Sequence, residues 1–208
     1  DEATRTAALA DVLRYVRLAA RLAAPRRPWL ALTMGVSGSG KSSQSQALIE
    51  RRGLVRLRAD VERKRLFGLA PEAASSGVPG GIYDEATSER VFAHLLNEAR
   101  ALLQAGQPVL VDATFIRRAR RAPFIALAGQ LGLPWRILAF NAPEAVLRER
   151  VRRRAAQGGD ASEADEAVLH SQLAHREPLT PDEAAHALAI DTRQPVDWSA
   201  WDSALPGN

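Results

Sequence analysis

Gly35-Val36-Ser37-Gly38-Ser39-Gly40-Lys41-Ser42 is the stretch from which the rest of this 208-residue chain can be read. It fits a pattern of glycine, four residues, then Gly-Lys-Ser. Phosphate oxygens need several backbone N–H donors converging from one side, and side chains at 35, 38 and 40 would block that approach. A helix that begins near Ser42 adds its positive end at the same spot. Lys41 then supplies a point charge for terminal phosphates, and the Ser42 hydroxyl is a ligand suited to Mg²⁺. The nucleotide-contacting run predicted in this way is Gly35, Ser37, Gly38, Ser39, Gly40, Lys41, Ser42 and Ser43, with ATP as the nucleotide. At the chain's own residue frequencies the four fixed positions would match by chance on the order of once in a thousand such sequences. A plain Gly/Ser turn is therefore the weaker reading, and the flanks weaken it further. Trp29–Met34 reads as a short buried strand, and Ser42–Arg52 as a helix stopped by Gly53.

Outward from that segment the chain alternates strands and helices. Upstream, Ala8, Leu9, Val12, Leu13, Val16, Ala19 and Ala20 have helical spacing within Arg5–Ala24, and Pro25 and Pro28 bracket a basic turn that ends the helix. Downstream, Leu54–Leu57 is a strand and Asp60 opens a helical turn through Phe67. Gly68–Gly81, rich in Pro, Ser and Gly, reads as a mobile substrate-binding loop above an α/β domain, with a disordered connector as the alternative. Asp84 caps a long helix whose apolar face runs Val91, Phe92, Leu95, Leu96, Ala99, Leu103, with Gly106 as its stop. A third strand covers Pro108–Val111 and ends at Asp112. Ile116–Leu131 reads as a helix that Pro123 should kink or break. Trp135–Phe140 is a fourth strand, and Pro143 starts a helix to Arg154. A break follows at Gln157–Asp160, and Ser162 is predicted to cap another helix with Asp165 as its reciprocal partner. Ala187–Ile190 is a fifth strand, and Trp198 and Trp201 should pack on the domain. Such alternation predicts a mostly parallel sheet covered on both faces. Residues 1–28 read as an N-terminal helix, the tail of an upstream domain, and 29–208 as one α/β domain.

Composition bounds the function classes. A 46% hydrophobic and 25% charged content is ordinary for a globular protein, and no apolar run is long enough to span a bilayer. With no cysteine there are no disulfides or thiolate sites, and a cytoplasmic enzyme fits. The chain starts at Asp1 rather than Met, which reads as a fragment or processed product. A net charge of +4 favours an anionic ligand. The only lysines are Lys41 and Lys64, so each calls for a reason.

Five further positions carry chemistry. An apolar strand ending in a carboxylate, here Asp112, is the second half of a phosphate-loop site, facing the Mg²⁺ shell. Ala113 is not acidic, so the paired carboxylates of mechanical ATPases are missing, and no Asn-Lys-x-Asp guanine-recognition segment occurs. Asp60, just past the second strand, can accept a proton from a substrate hydroxyl as it attacks the γ-phosphate; the plainer alternative is a helix N-cap. Arg63, one turn on, would hold the acceptor or a phosphate on the same face. Arg150 and Arg154, four apart on the arginine-rich helix, would stabilise charge on the transferring phosphoryl group from a flap near 150–165.

Gly-Val-Ser-Gly-Ser-Gly-Lys-Ser, Asp-Val-Glu-Arg-Lys-Arg-Leu, Gly-Ile-Tyr, Val-Asp-Ala-Thr-Phe and Ser-Glu-Ala-Asp together resemble AAA_33-type P-loop kinase-like domains. More narrowly, they resemble the C-terminal ATP-binding half of bacterial bifunctional proteins whose N-terminal half is similar to aminoglycoside phosphotransferases. The resemblance spans Trp29 to Ile190 and implies a three-layer α/β/α fold with a five-stranded sheet in the order 2-3-1-4-5 and an arginine-bearing lid. It implies Asp60 as general base, Lys41 and Ser42 as nucleotide ligands, Arg150 and Arg154 as lid arginines, and an upstream partner domain. The resulting expectation is an ATP- and Mg²⁺-dependent kinase acting on a polynucleotide 5′-hydroxyl or a small polyol or sugar. The rival from another class is a regulatory ATP-binding module that controls a partner domain.

Overall fold

Five short apolar runs, scattered over the sequence, become neighbours in the computed structural model, which describes residues 2–23, 27–157 and 159–207. β1 (Leu30–Met34), β2 (Val55–Arg58), β3 (Val109–Asp112), β4 (Trp135–Asn141) and β5 (Ala187–Asp191) form one sheet in the order β2-β3-β1-β4-β5. Every pairing is parallel. Central parallel strands are buried on both faces and therefore read as unbroken hydrophobic runs; Leu30, Ala31 and Leu32 have no exposed surface. Along β1 the side chains alternate. Leu30, Leu32 and Met34 pack with Val91, Leu95 and Leu103 of α4 (Glu85–Gln104) and with Phe124 and Leu127 of α5 (Arg118–Gln130). Ala31 faces the opposite layer, with Leu48 of α2 (Lys41–Arg52) and Trp198. The result is the expected three-layer α/β/α fold with its 2-3-1-4-5 sheet.

The remaining helices are α1 (Glu2–Ala23), α3 (Ala59–Leu66), α6 (Glu144–Gln157), α7 (Glu166–Ala174) and α8 (Pro181–Ala185). On α1 the side chains of Leu9, Val12, Leu13, Tyr15 and Val16 are exposed. The turn read from Pro25 and the glycine at 158 lie outside the described residues. As expected, Trp198 packs on the domain: it meets Phe140 edge-on and donates from Nε1 to the Gln44 carbonyl at 2.8 Å. No helix among the described residues is long and apolar enough to cross a membrane.

Several local expectations are corrected. Ser162 does not cap a helix; Asp165 is itself the N-cap of α7 and accepts from the Val168 amide. Ser162 is held back because its amide donates to Asp160 at 2.8 Å. Pro123 does not break α5, which runs from Arg118 through to Gln130. The hydrogen bond that proline forfeits is outweighed by Phe124, Leu127 and Ala128 in the core and by Arg121. The arginine-rich helix extends to Gln157, past its predicted end. Asp60 is not an N-cap; Arg58 holds that position and Asp60 lies inside the first turn of α3. Helix α8 was not foreseen, although Thr180-Pro181-Asp182-Glu183 carries a capping-box signature, which the structure forms.

Arg121 is fully buried and saturated. Its Nε and Nη2 reach Glu183 Oε1 and Oε2 at 2.8 and 2.9 Å, and its Nη1 donates to the Phe115 carbonyl at 3.0 Å. Phe115 sits at φ 45, unusual for a non-glycine residue. Edge contacts to Phe92 and Phe124, with centroids 5.4 and 5.2 Å away, help hold it there. Arg121 thus fixes the loop that leaves β3, directly after Asp112. Removing one partner strands a buried charge, so Arg121→Ala should lower unfolding free energy by roughly 3–5 kcal/mol in urea titrations. Burial alone would raise the Glu183 carboxyl, but the Arg121 hydrogen bonds and the Thr180 amide hold it below its usual range. The stabilisation is therefore complete above the unfolded-state value of 4.5 and disappears as pH falls through the lower folded-state value. The stability gap between wild type and Glu183→Gln should close on acidification; a gap that is constant with pH would refute this account.

Candidate active site

All five strands end at the same edge, so the loops after β1, β2, β3 and the segment after β5 crowd one crevice. The glycine-rich loop leaves β1 there and turns into α2. Gly38 and Gly40 have φ of 80 and 79, a left-handed conformation that glycine adopts without strain. A Cβ on Gly38 would lie 2.6 Å from the Leu147 carbonyl, and one on Gly35 would lie 2.5 Å from Ser39 Oγ and 2.8 Å from the Phe140 carbonyl. At these positions glycine is demanded by the loop's own packing, in addition to the phosphate access argued from sequence. Gly40 is the N-cap of α2, and no acidic side chain lies in that helix's first turn to oppose an anion.

Two cavities of about 310 Å³ each meet above the loop. One, over the turn into α2, is lined by Gly38, Gly40, Lys41, Ser42, Ser43 and the arginines Arg58, Arg150, Arg153 and Arg154. The other runs between α3, α4 and α7 and is lined by Ser37, Arg63, Tyr83, Asp112 and Gln172, among others. Lys41, Ser42, Asp60 and Ser162 line both. Of the predicted loop residues, Gly35 and Ser39 line neither, and Ser39 Oγ is buried with no hydrogen-bond partner.

Lys41 is pulled below the ordinary lysine range by burial, while Asp112 and Asp60 act in the opposite direction and favour its charge. Its Nζ lies 3.5 Å from the Val36 carbonyl. Asp112 is 2% exposed. Its Oδ1 takes a weak contact from Thr33 Oγ1 at 3.4 Å, and Oδ2 has no hydrogen-bond partner among the described residues, with Arg58 Nε 3.9 Å away. A buried carboxylate oxygen without a partner is costly unless something cationic shares its space. Together with the Ser42 hydroxyl, this all-oxygen pair suits Mg²⁺, which takes one or two protein ligands and completes its shell with phosphates and water.

The Asp60 carboxylate is half-buried and makes no hydrogen bond or ion pair among the described residues, yet it borders both cavities. Arg63, one turn later, is buried; its Nη1 donates to the Ile82 carbonyl at 2.9 Å and its guanidinium lies 5.1 Å from the Tyr83 ring. Burial draws Arg63 below the usual arginine range while Asp60 opposes the shift. Burial, with Asp60 and Glu163, pushes the Tyr83 phenol up to about 12, so it stays protonated. Arg150 braces the loop, donating from Nη1 to the Gly38 carbonyl at 3.3 Å and to Thr192 Oγ1 at 2.9 Å. Arg154 donates to the Ala164 carbonyl at 2.7 Å. The crevice therefore brings together every residue assigned from sequence except Gly35 and Ser39, which support it from below.

Other contributors were not singled out. Arg58 faces Asp160 at 2.7 Å and Asp112 from the end of β2. Gln172 accepts the Ser37 amide at 2.7 Å. Thr192, which donates to the Ser39 carbonyl at 2.9 Å, has no sequence signal at all. Glu163 and Lys64 did carry one, as part of a quoted segment and as one of two lysines.

Residues 30–179 match the AAA domain family AAA_33, which accounts for more than half of the chain. An uncharacterized protein of Mycobacterium tuberculosis (strain ATCC 25618 / H37Rv) is 29% identical over 168 residues, covering 80% of this chain and 34% of that protein. The chain thus spans about a third of the length of the curated relatives it matches. A solved structure of a putative kinase from Chloroflexus aurantiacus is similar with a TM-score of 0.63 and 22% identity, covering 85% of this chain and 93% of that one. A sugar kinase from Janibacter sp. HTCC2649 is similar with a TM-score of 0.59 and 25% identity, covering 81% and 87% respectively. By its family match and the order of its sheet, the chain belongs to the AAA_33 family and has the architecture of P-loop kinases.

Proposed function

We propose that this protein transfers the γ-phosphoryl group of ATP to a hydroxyl of a small polyol or sugar. One observation carries the reading: a cavity walled by arginines and the phosphate loop opens at Lys41, Ser42 and Asp60 into a second, separately walled cavity. Phosphoryl transfer is mostly positioning and charge stabilisation, which needs a donor and an acceptor compartment meeting at one carboxylate. Lys41 and the loop amides would hold the β- and γ-phosphates. Mg²⁺ held by Ser42 and Asp112 would supply positive charge to the phosphate oxygens. Asp60, free of other partners, would take the proton of the acceptor hydroxyl, with Arg63 orienting the acceptor beside Tyr83. Arg58, Arg150, Arg153 and Arg154 would neutralise charge from the donor side, with residues near 150–165 acting as the lid.

The acceptor cavity's size is that of a small-molecule site, and the likeness to a sugar kinase supports the same choice. A polynucleotide acceptor would instead give oligonucleotide binding that weakens steeply with salt. The reading of this chain as the ATP-binding part of a longer polypeptide is also ours. Its supports are the length of the mycobacterial relative and the exposed apolar side chains of α1.

Incubating the protein with γ-labelled ATP and pooled polyols, sugars and oligonucleotides should put label on a small hydroxyl compound. Label found only as free phosphate across the pool would favour a regulatory module instead. Asp60→Asn should bind nucleotide as wild type does and lose about 10²–10⁴ in transfer rate; undiminished transfer would remove Asp60 as the base. Asp112→Asn should raise the Mg²⁺ concentration needed for half-maximal transfer by on the order of tenfold or more, read from a metal titration. An unchanged titration would take Asp112 out of the metal shell.

A further inference from the structure

Lys64 lines neither of the two cavities that meet at Asp60, and it has no exposed surface. Among the described residues its Nζ meets one partner, Glu163 Oε1 at 3.1 Å. A buried ammonium separated from its counter-charge is strongly unfavourable, so the pair resists opening. Glu163 is engaged on its other side as well: it accepts from the Ser75 amide at 2.9 Å and from the Ser75 hydroxyl. These bonds outweigh the effect of burial and keep its carboxyl below the usual range. One side chain thereby ties together α3, the 68–83 loop and the segment 159–165.

Each of those three pieces touches a different part of the crevice. Helix α3 carries Asp60 and Arg63. The loop ends at Ile82 and Tyr83, which Arg63 holds at the wall of the acceptor cavity. The segment 159–165 is bound from the donor side, where Arg58 reaches Asp160 and Arg154 reaches the Ala164 carbonyl, both at 2.7 Å. Ser162, next to Glu163, lines both cavities. Arg58 and Arg154 face the space in which phosphates would sit, so an anion there competes for their hydrogen-bonding capacity and moves what they hold. Any such movement would reach Ser75 through the bonds that Glu163 accepts from it.

We infer that Glu163, anchored by Lys64, is a positioning residue that transmits filling of the donor cavity to the acceptor loop, ordering residues 72–83 before an acceptor arrives. The inference rests on the donor-cavity assignment made above. Glu163 itself lines the acceptor cavity beside Ser162 and Ala164, whereas Lys64 lines neither cavity; both act on the crevice through the 68–83 loop and the 159–165 segment.

Hydrogen–deuterium exchange with and without a magnesium complex of a non-hydrolysable ATP analogue tests it. In wild type the analogue should slow exchange at 35–44 and also at 72–83, the latter by roughly 5- to 150-fold, the range of ordinary couplings between sites. In Glu163→Ala the slowing at 35–44 should remain and the slowing at 72–83 should vanish. That variant leaves Lys64 buried without a partner, so Lys64→Met combined with Glu163→Leu, which also removes the acceptor for Ser75, serves as the second test. It removes both charges at once, which folded proteins tolerate far better, and it should give the same loss. A merely structural role would change exchange at 72–83 in the ligand-free protein and leave the nucleotide-dependent change intact. Retention of that change in the double variant, or its absence in wild type with 35–44 protected, overturns the coupling. Absence of slowing at 35–44 in wild type would instead overturn the donor-cavity assignment, and the coupling with it.

Discussion

The desolvated ammonium of Lys41, between the fields of Asp112 and Asp60, is the interaction on which the crevice depends. Buried charge is tolerated only where counter-charge is already in place, and the sheet brings it there. Parallel strands put every carboxyl end on one edge, so a residue that closes β3 and a residue that opens α3 both reach the loop after β1. The register of β2 against β3, with Arg58 opposite Asp112, adds a guanidinium to the same group. The result is an alternation of acid and base, Asp60, Lys41, Asp112 and Arg58, around one crevice. A triphosphate with its divalent ion would add counter-charge to that alternation.

The same physics recurs away from the crevice. Arg121 and Glu183 form a buried pair that anchors the loop leaving β3, and Lys64 with Glu163 anchors the segment that borders both cavities. A hydrophobic contact could hold either segment, but it would tolerate sliding. The two-bond fork of Arg121 on Glu183 sets direction as well as distance, and Glu163 gains direction from the two bonds it accepts from Ser75. That the protein places such pairs under Asp112 and beside Ser162 suits a site in which small displacements carry large rate penalties.

Local rules failed where distant residues outvoted them. Pro123 reads as a helix breaker, yet α5 continues because its later residues fill the core. Ser162-Glu163-Ala164-Asp165 reads as a capping box, yet the cap is Asp165, because Glu163 is drawn to Lys64 and Ser75 and Ser162 to Asp160. Asp60 reads first as a base, with a helix cap as the plainer alternative; the structure removes the cap, because Arg58 holds that position. Asp160 and Arg58 lie only two residues from Ser162 and Asp60, but Ser75 is 88 positions from Glu163, outside any windowed reading of the sequence.

By itself the sequence determined the phosphate loop, the alternation of strands and helices, the carboxylate closing the third strand and the cluster of arginines. Each follows from short-range patterns: glycine where backbone must be bare, apolar runs where both faces are covered, helical spacing where one face is. Tertiary structure alone decided which arginines enter the donor cavity, which atoms of Asp112 lack partners, and that Lys64, Glu163 and Ser75 meet. Those outcomes depend on side chains brought together by the packing of α3, α6 and α7 around one sheet edge. Burial and counter-charge exist only once that packing is in place.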